Sequence, residues 1–308
     1  MPNILSMRTF DLDSLEIFRT VVREGGVVRA AARLHRVQSN VTTRIKQLEQ
    51  RLGVALFRRQ GRTLALTPAG DALLVHAERL LRLADEAESA LRADPARGPF
   101  RLGSMESTAG SRLPKLLSRY HRLHPGVVIE LQTGTTGALL RKLADYQLDA
   151  AFVGEPFSAP DLNSQPVFEE ELVLITGKQN PPVQQAGELL TGTILAFPGG
   201  CSYRRKLEDW FATGEVMPRR VMEFASYQAI IACVAAGTGC AIVPVSVLHA
   251  LRATSEVRQH ALPEPIGTSR THLAWNGTPS PALERLLALL AALQEKRPAF
   301  AGPEAVTA

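Results

Sequence analysis

Cysteine is scarce in this chain. The 308 residues contain three, Cys201, Cys233 and Cys240, which excludes a disulfide scaffold as the source of stability and fits a reducing cytoplasm. Long apolar runs are missing as well. No stretch reaches membrane-spanning length and the N-terminus has no basic-then-apolar signal segment, so a soluble cytoplasmic protein with no membrane partner is expected. Catalytic signatures are equally thin. The seven histidines, His35, His76, His121, His124, His249, His260 and His272, are scattered without metal-ligand spacing. A phosphate-cradling Gly-x-x-x-x-Gly-Lys, a nucleophile elbow and a repeated Gly-x-Gly-x-x-Gly are all lacking. These absences argue against an enzyme, a metal site and a bound cofactor.

What the chain does have is an uneven distribution of charge. Residues 1 to 66 hold twelve Lys or Arg against five Asp or Glu, whereas residues 67 to 94 hold three against six and the remainder is nearly balanced. The excess of positive charge therefore sits in the N-terminal segment, where a polyanion would bind.

That segment reads as three short helices. Asp13 is a plausible N-cap for the first, which runs to about Arg23 with Leu15, Phe18, Val21 and Val22 on one side and stops at Gly25-Gly26. Val27 to Leu34 forms the second, with Ala30, Ala31 and Leu34 as the close-packing positions. In the third, Val41, Ile45 and Leu48 recur at i, i+4 and i+7 as one buried stripe. The polar residues around them suit a helix lying in the major groove. Gln38, Asn40 and Arg44 have the paired geometry that reads adenine or guanine edges, while Ser39, Thr42, Thr43 and Lys46 suit phosphates or weaker base contacts. Gln60-Gly61-Arg62 looks like the tip of a two-stranded wing, so that Arg58, Arg59 and Arg62 would touch backbone or the minor groove. His35 packs at the end of the second helix or contacts a phosphate, with neither reading favoured.

In this order the pieces resemble the LysR-type transcriptional regulators. The matching residues are Phe18, Ala30-Ala31, Leu34-His35, Gln38-Ser39, Val41, Ile45 and Leu48-Glu49, then Leu52 through Arg59, then Leu66-Thr67-Pro68-Ala69-Gly70. The chain departs from the pattern at Val37, where the family usually has a serine, and at Arg36, where an apolar residue is common. A serine there would cap the third helix, so that role is expected to pass to Gln38 or Ser39. The resemblance implies a winged helix-turn-helix domain (1 to 66), a linker helix that dimerises (67 to 96) and a two-lobed, periplasmic-binding-protein-like effector domain (97 to 308). The fold class is thus α/β with an all-α N-terminal part.

Thr67-Pro68 is a strong helix start, and the apolar band from Leu73 through Leu91 at helical spacing is too long for its own domain to bury. Its expected partner is the same helix of a second chain. Pro95-Ala96-Arg97-Gly98-Pro99 then marks the boundary to alternating strands and helices, which imply parallel pairing and two lobes around a cleft. A final helix, Pro281 to Lys296, is expected to return to the first lobe.

Four strand-to-helix junctions carry small polar residues. They supply the candidate effector-binding set, at positions that resemble those where family members hold their inducers: Ser104, Glu106 and Ser107; Thr135 and Thr136; Cys201, Ser202 and Arg204; and Ser226. Glu106 facing the cleft would repel an anion and attract an amine, whereas Arg204 could neutralise it or bind a carboxylate. An amino acid, an amine and an organic acid all remain open as inducer. Cys201 lies before a helix start with Arg204 and Arg205 close by, conditions that lower a thiol pKa, but no second cysteine follows before Cys233.

The expected function is an inducer-modulated, sequence-specific regulator that binds double-stranded operator DNA as a homodimer or homotetramer, with RNA polymerase as a further candidate partner. A redox-sensing regulator acting through Cys201 is one alternative. A solute-binding protein is another, though it leaves the basic N-terminal segment unexplained.

Overall fold

In the computed structural model the described residues are 11–60, 63–91, 94, 96–189 and 192–294. They fall into two units, Met1–Asp94 and Pro95–Ala308.

The first unit begins with α1 (Leu12–Arg23), α2 (Val27–Arg33) and α3 (Gln38–Leu52). An antiparallel wing of β1 (Phe57–Gln60) and β2 (Thr63–Leu66) follows, and then α4 (Pro68–Ala90). Leu15, Phe18, Ala30, Val41, Leu48 and Leu56 form its core, together with Ala77 and Leu81 from α4. The cap of α1 is Asp11 rather than Asp13: its carboxylate accepts the Ser14 N–H at 2.7 Å, which moves the helix start outward and frees Asp13 for ion pairing. Gly25, at φ +65°, ends α1 in a conformation that side chains with a Cβ resist.

Two carboxylates fasten this unit. Glu49 of α3 accepts the backbone N–H groups of Leu56 at 2.8 Å and Phe57 at 3.2 Å, fixing where the wing leaves the helix. Glu78 of α4 is buried and meets Arg19 at 3.5 Å and Arg23 at 2.9 Å, both on α1. Thr67 accepts the Gly70 N–H at 3.1 Å and donates to the Ala55 carbonyl at 2.7 Å, so the expected cap is present. Gly70 is required at this crossing, because a Cβ there would lie 2.2 Å from the Leu56 carbonyl oxygen.

The second unit has two lobes joined by shared strands. In the first lobe, β3 (Gly98–Ser104) pairs in parallel with β4 (Val127–Thr133) and β5 (Ala150–Gly154). The short α5 (Glu106–Ser111), then α6 (Leu113–Leu123) and α7 (Thr136–Ala144), connect these strands. The long β6 (Asn163–Thr176) leaves this lobe for the second, pairing antiparallel through its first half with β11 (Thr268–Trp275), which in turn pairs with β5. Its second half pairs antiparallel with β9 (Ala241–Pro244) and β10 (Arg258–Ala261). A parallel pair, β7 (Thr193–Ala196) and β8 (Arg220–Glu223), completes the second lobe beside α8 (Ser202–Thr213), α9 (Tyr227–Ala235) and α10 (Val245–Ala250). The last helix, α11 (Pro281–Gln294), closes the first lobe as expected. Tyr120 donates to the Ala282 carbonyl at 2.7 Å, and Leu283, Leu286 and Leu290 pack with Phe100 and Leu102.

The expectation of parallel pairing holds for β3–β4, β3–β5 and β7–β8 and fails for the crossing strands. The first half of β6, Asn163 to Glu171, reads as a polar segment in sequence because most of its side chains face away from the cores. Cutting the tie between α1 and α4 checks the first unit: Glu78→Ala leaves Arg19 with Glu16 alone and Arg23 without its carboxylate, and should cost about 2 kcal/mol of unfolding free energy, measured by denaturant titration.

Candidate nucleic-acid interface and effector cleft

Val41, Ile45 and Leu48 are buried, which fixes the rotation of α3 about its axis. Ser39, Thr43, Lys46 and Gln50, at i, i+4, i+7 and i+11, form the ridge directly opposite and all are exposed. Asn40 and Gln47 flank this ridge and are exposed too, and Gln38 is exposed in the first turn of the helix. Thr42 is half-buried and its hydroxyl donates to the Gln38 carbonyl at 2.9 Å, so it is partly turned to its own helix. Arg44 lies on the flank facing α1, with its guanidinium 3.5 Å from the Asp13 carboxylate. Asp13 also holds Arg36 at 2.6 and 3.2 Å, and this pairing raises the arginine pKa.

The residue capping α3 is Val37, in an extended conformation and with no side-chain hydrogen bond. Neither Gln38 nor Ser39 takes over the role, because both are already inside the helix and point outward. The Arg36–Asp13 pair is what ties the entry of α3 to α1. His35 is exposed in the preceding turn at φ +53°, so the packing role weighed for it is not found. On the wing Arg58 and Arg59 are exposed, while Arg62 and Gly61 at its expected tip lie outside the described residues.

In the second unit the predicted polar junctions meet between the lobes. Ser104 is buried and donates to the Met105 carbonyl at 2.9 Å. The Thr136 hydroxyl accepts the Gly154 N–H at 3.2 Å and lies 3.4 Å from the Met105 sulfur, and Ser202 approaches that sulfur from the other lobe at 3.9 Å. Thr135 caps α7 by accepting the Ala138 N–H at 3.4 Å. The rim is closed by Gly137, whose N–H donates to the Gly200 carbonyl at 3.0 Å. Ser107 is buried within reach of the phenol groups of Tyr203 and Tyr227. Burial pushes both phenols to higher pKa. Ser226 caps α9 through its backbone position alone and stays half-buried.

Two members of the predicted set behave differently. Arg204 does not serve the cleft: its guanidinium binds Glu208 at 2.8 Å and Glu223 at 2.6 Å, acids the sequence places four and nineteen residues on. Cys201 is not activated, because burial pushes its thiol up and outweighs the amides of Arg204 and Tyr203 that would lower it. A concavity of about 1980 Å³ along the crossing strands contains none of Ser104, Glu106, Ser107, Thr136 or Ser202. A narrow cavity of about 10 Å³ lies behind Cys201 and Tyr227 inside the second lobe.

Two family models match the chain, the bacterial regulatory helix-turn-helix of the LysR family over residues 12–71 and the LysR substrate binding domain over residues 93–295. The chain belongs to the LysR family of transcriptional regulators. Among curated LysR-type relatives, the uncharacterized regulator YusT of Bacillus subtilis is 42% identical over 83% of this chain and 86% of its own length. GltR of the same organism is 38% identical over 82% and 86%. The fold is shared with full-length OxyR from Pseudomonas aeruginosa, at a TM-score of 0.72 and 22% identity over 93% of this chain and 95% of that one. It is shared too with CbnR, at a TM-score of 0.64 and 23% identity over 92% and 99%. As a LysR-type regulator the protein binds DNA through its first unit and a small-molecule effector through its second.

Sequence reasoning missed Gln47 and Gln50 on the exposed side of α3, though the spacing that placed Thr43 and Lys46 there also places Gln50. It missed Tyr203 and Thr271, which reach the cleft from α8 and β11 and carry no local motif. The uncapped start of α3 gives a direct test: Val37→Ser supplies a side-chain acceptor and should stabilise the first unit by about 1 kcal/mol, read as a raised melting temperature.

Proposed function

We propose that the ridge Ser39, Thr43, Lys46 and Gln50, with Gln38 and Asn40 beside it, enters the major groove of double-stranded operator DNA. The observation that carries this is the exposure of these side chains on the face opposite a buried stripe, in the segment that concentrates positive charge. Thr42 sits at the edge of that face. Arg44 reaches the DNA by leaving Asp13, and Arg58 on the wing meets the phosphate backbone. Leu80 and Leu83 of α4 are exposed apolar residues on a helix whose other side packs on α1, which supports pairing with a second copy in a homodimer or homotetramer. RNA polymerase is the partner expected of an activator.

The effector is held between the two lobes by Ser104, Ser107, Thr136 and Ser202, with Ser226 and the capping Thr135 at the edges. Support comes from the convergence of these hydroxyls from both lobes, with the buried Tyr203 phenol reaching Ser107 and the Thr271 hydroxyl beside it. The protein carries no catalytic role in this reading.

Gel-shift titration tests the DNA half. Gln50→Ala should lose about 1 to 3 kcal/mol on the operator and little on random DNA, and Arg58→Ala should weaken both alike and flatten the salt dependence by about one unit of slope. Equal losses on both DNAs for Gln50→Ala would remove that residue from base reading. Ser107→Ala should abolish the effector response while leaving operator affinity unchanged; a normal response would move the pocket out of the cleft.

A further inference from the structure

Two attachments give α4 its direction, and they lie at different points along it. The first is at its start. Thr67 donates its hydroxyl to the Ala55 carbonyl and its N–H to the Leu56 carbonyl at 3.0 Å, and Gly70 crosses that same Leu56 carbonyl so closely that a Cβ would lie 2.2 Å from the oxygen. The second is Glu78, eight residues after Gly70. Its carboxylate is 3% exposed and takes Arg23 through both oxygens, at 2.9 and 3.1 Å, with Arg19 at 3.5 Å. Arg19 also has Glu16, so Arg23 is the arginine that depends on Glu78.

Between and beyond these points α4 meets the core through Ala77 and Leu81. Apolar contacts of this kind are non-directional and tolerate sliding, whereas a carboxylate removed from water holds its arginines in one geometry. A helix fixed only near Gly70 could swing about that crossing. Glu78 sits about 12 Å along the axis from it, so each ångström of slack at the ion pair turns α4 by about 5°. The outer face of the helix carries Leu80 and Leu83, the exposed apolar residues of the proposed pairing surface. In a pair built on that surface, the angle between α1 and α4 sets how far apart the two α3 ridges stand. For a two-fold pair on duplex DNA that distance is the spacing of the half-sites.

We propose that Glu78 is a positioning residue for DNA recognition: through Arg23 and Arg19 it locks α4 against α1 and so fixes the half-site spacing of the operator. This rests on the reading of α3 as the DNA-contacting helix and of α4 as the pairing helix. Glu78 touches no DNA itself. Its loss leaves each head able to read its own half-site and frees the distance between the heads.

The test starts from duplexes that the full chain selects from a random library, rebuilt as a single half-site and with the spacer between half-sites lengthened or shortened one base pair at a time. In gel-shift titration the unsubstituted protein should lose about tenfold or more for one base pair of misplacement, which shifts a half-site by about 3.4 Å and about 34°. Glu78→Gln, which keeps the volume and removes the charge, should lose only about two- to threefold for that step, with affinity for the single half-site unchanged. Arg23→Gln, at a side chain 40% exposed and so milder for folding, should fall between the two. A spacing profile in both variants identical to that of the unsubstituted chain would overturn the proposal. An equal loss on every duplex, the single half-site included, would reduce Glu78 to a support of the fold and overturn it too. Lack of any spacing preference in the unsubstituted protein would instead remove the pairing through α4, and the proposal with it.

Discussion

A buried carboxylate on a strand common to both lobes organises the second unit. Glu170, on β6, is 4% exposed and accepts two bonds from Arg112 at the start of α6 and one of 2.7 Å from Ser246 on α10. Glu170 is the most buried of the three, so losing Arg112 would leave its carboxylate without a cation and with Ser246 as its remaining partner. Arg112 belongs to the first lobe and Ser246 to the second, which makes the crossing strands a pinned edge. The opposite edge is held more lightly. There the lobes meet through the Gly137–Gly200 hydrogen bond, the Ser202 hydroxyl near the Met105 sulfur and Glu106 against Tyr227. A unit pinned on one edge and lightly closed on the other is the geometry of a hinge.

The first unit uses the same device at smaller scale. Glu78 couples α4 to α1 and Glu49 couples α3 to the wing, so each acid determines the direction of an element rather than its existence. The placement of the reading ridge depends on a third acid. Asp13 receives Arg36 and Arg44, compensating for an α3 that begins at Val37 without a capping side chain. A serine in place of Val37 would perform locally what Asp13 performs from another helix.

Much of this was legible in the sequence. The stripe Val41, Ile45, Leu48 fixed which side of α3 faces water, and the Thr67-Pro68 signal placed the start of α4, because both depend on neighbours within a few residues. The polar junctions around Ser104, Thr136 and Ser202 were likewise visible, since strand ends in a parallel arrangement gather on one side. What stayed hidden was set by distant partners. Arg204 could be read as a cleft cation until Glu223 came beside it, and Cys201 as a reactive thiol until packing desolvated it. The polar half of β6 gave no strand pattern because its order comes from pairing with β11, about a hundred residues away. Asp11 displaced Asp13 as the cap of α1 for a related reason: either acid satisfies the local rule, and distant arginines, Arg51 at Asp11 and Arg36 at Asp13, fix where each carboxylate sits.

The closed cleft constrains how an effector could change the protein. Its hydroxyls largely satisfy one another or nearby backbone, so a ligand gains little by merely replacing those bonds. The gain available to it lies in what the closed form leaves unmet. That is little among the hydroxyls, since the Tyr203 phenol meets Ser107 and Thr271, and the half-buried Glu106 meets the Tyr227 amide. A ligand shifts the balance between two lobe arrangements only by its difference in affinity for them. Groups already satisfied in the closed form contribute nothing to that difference. What separates the two arrangements is therefore the set of contacts that opening breaks, Gly137 with Gly200 and Ser202 beside Met105, on the edge opposite Glu170, where a small displacement turns one lobe against the other.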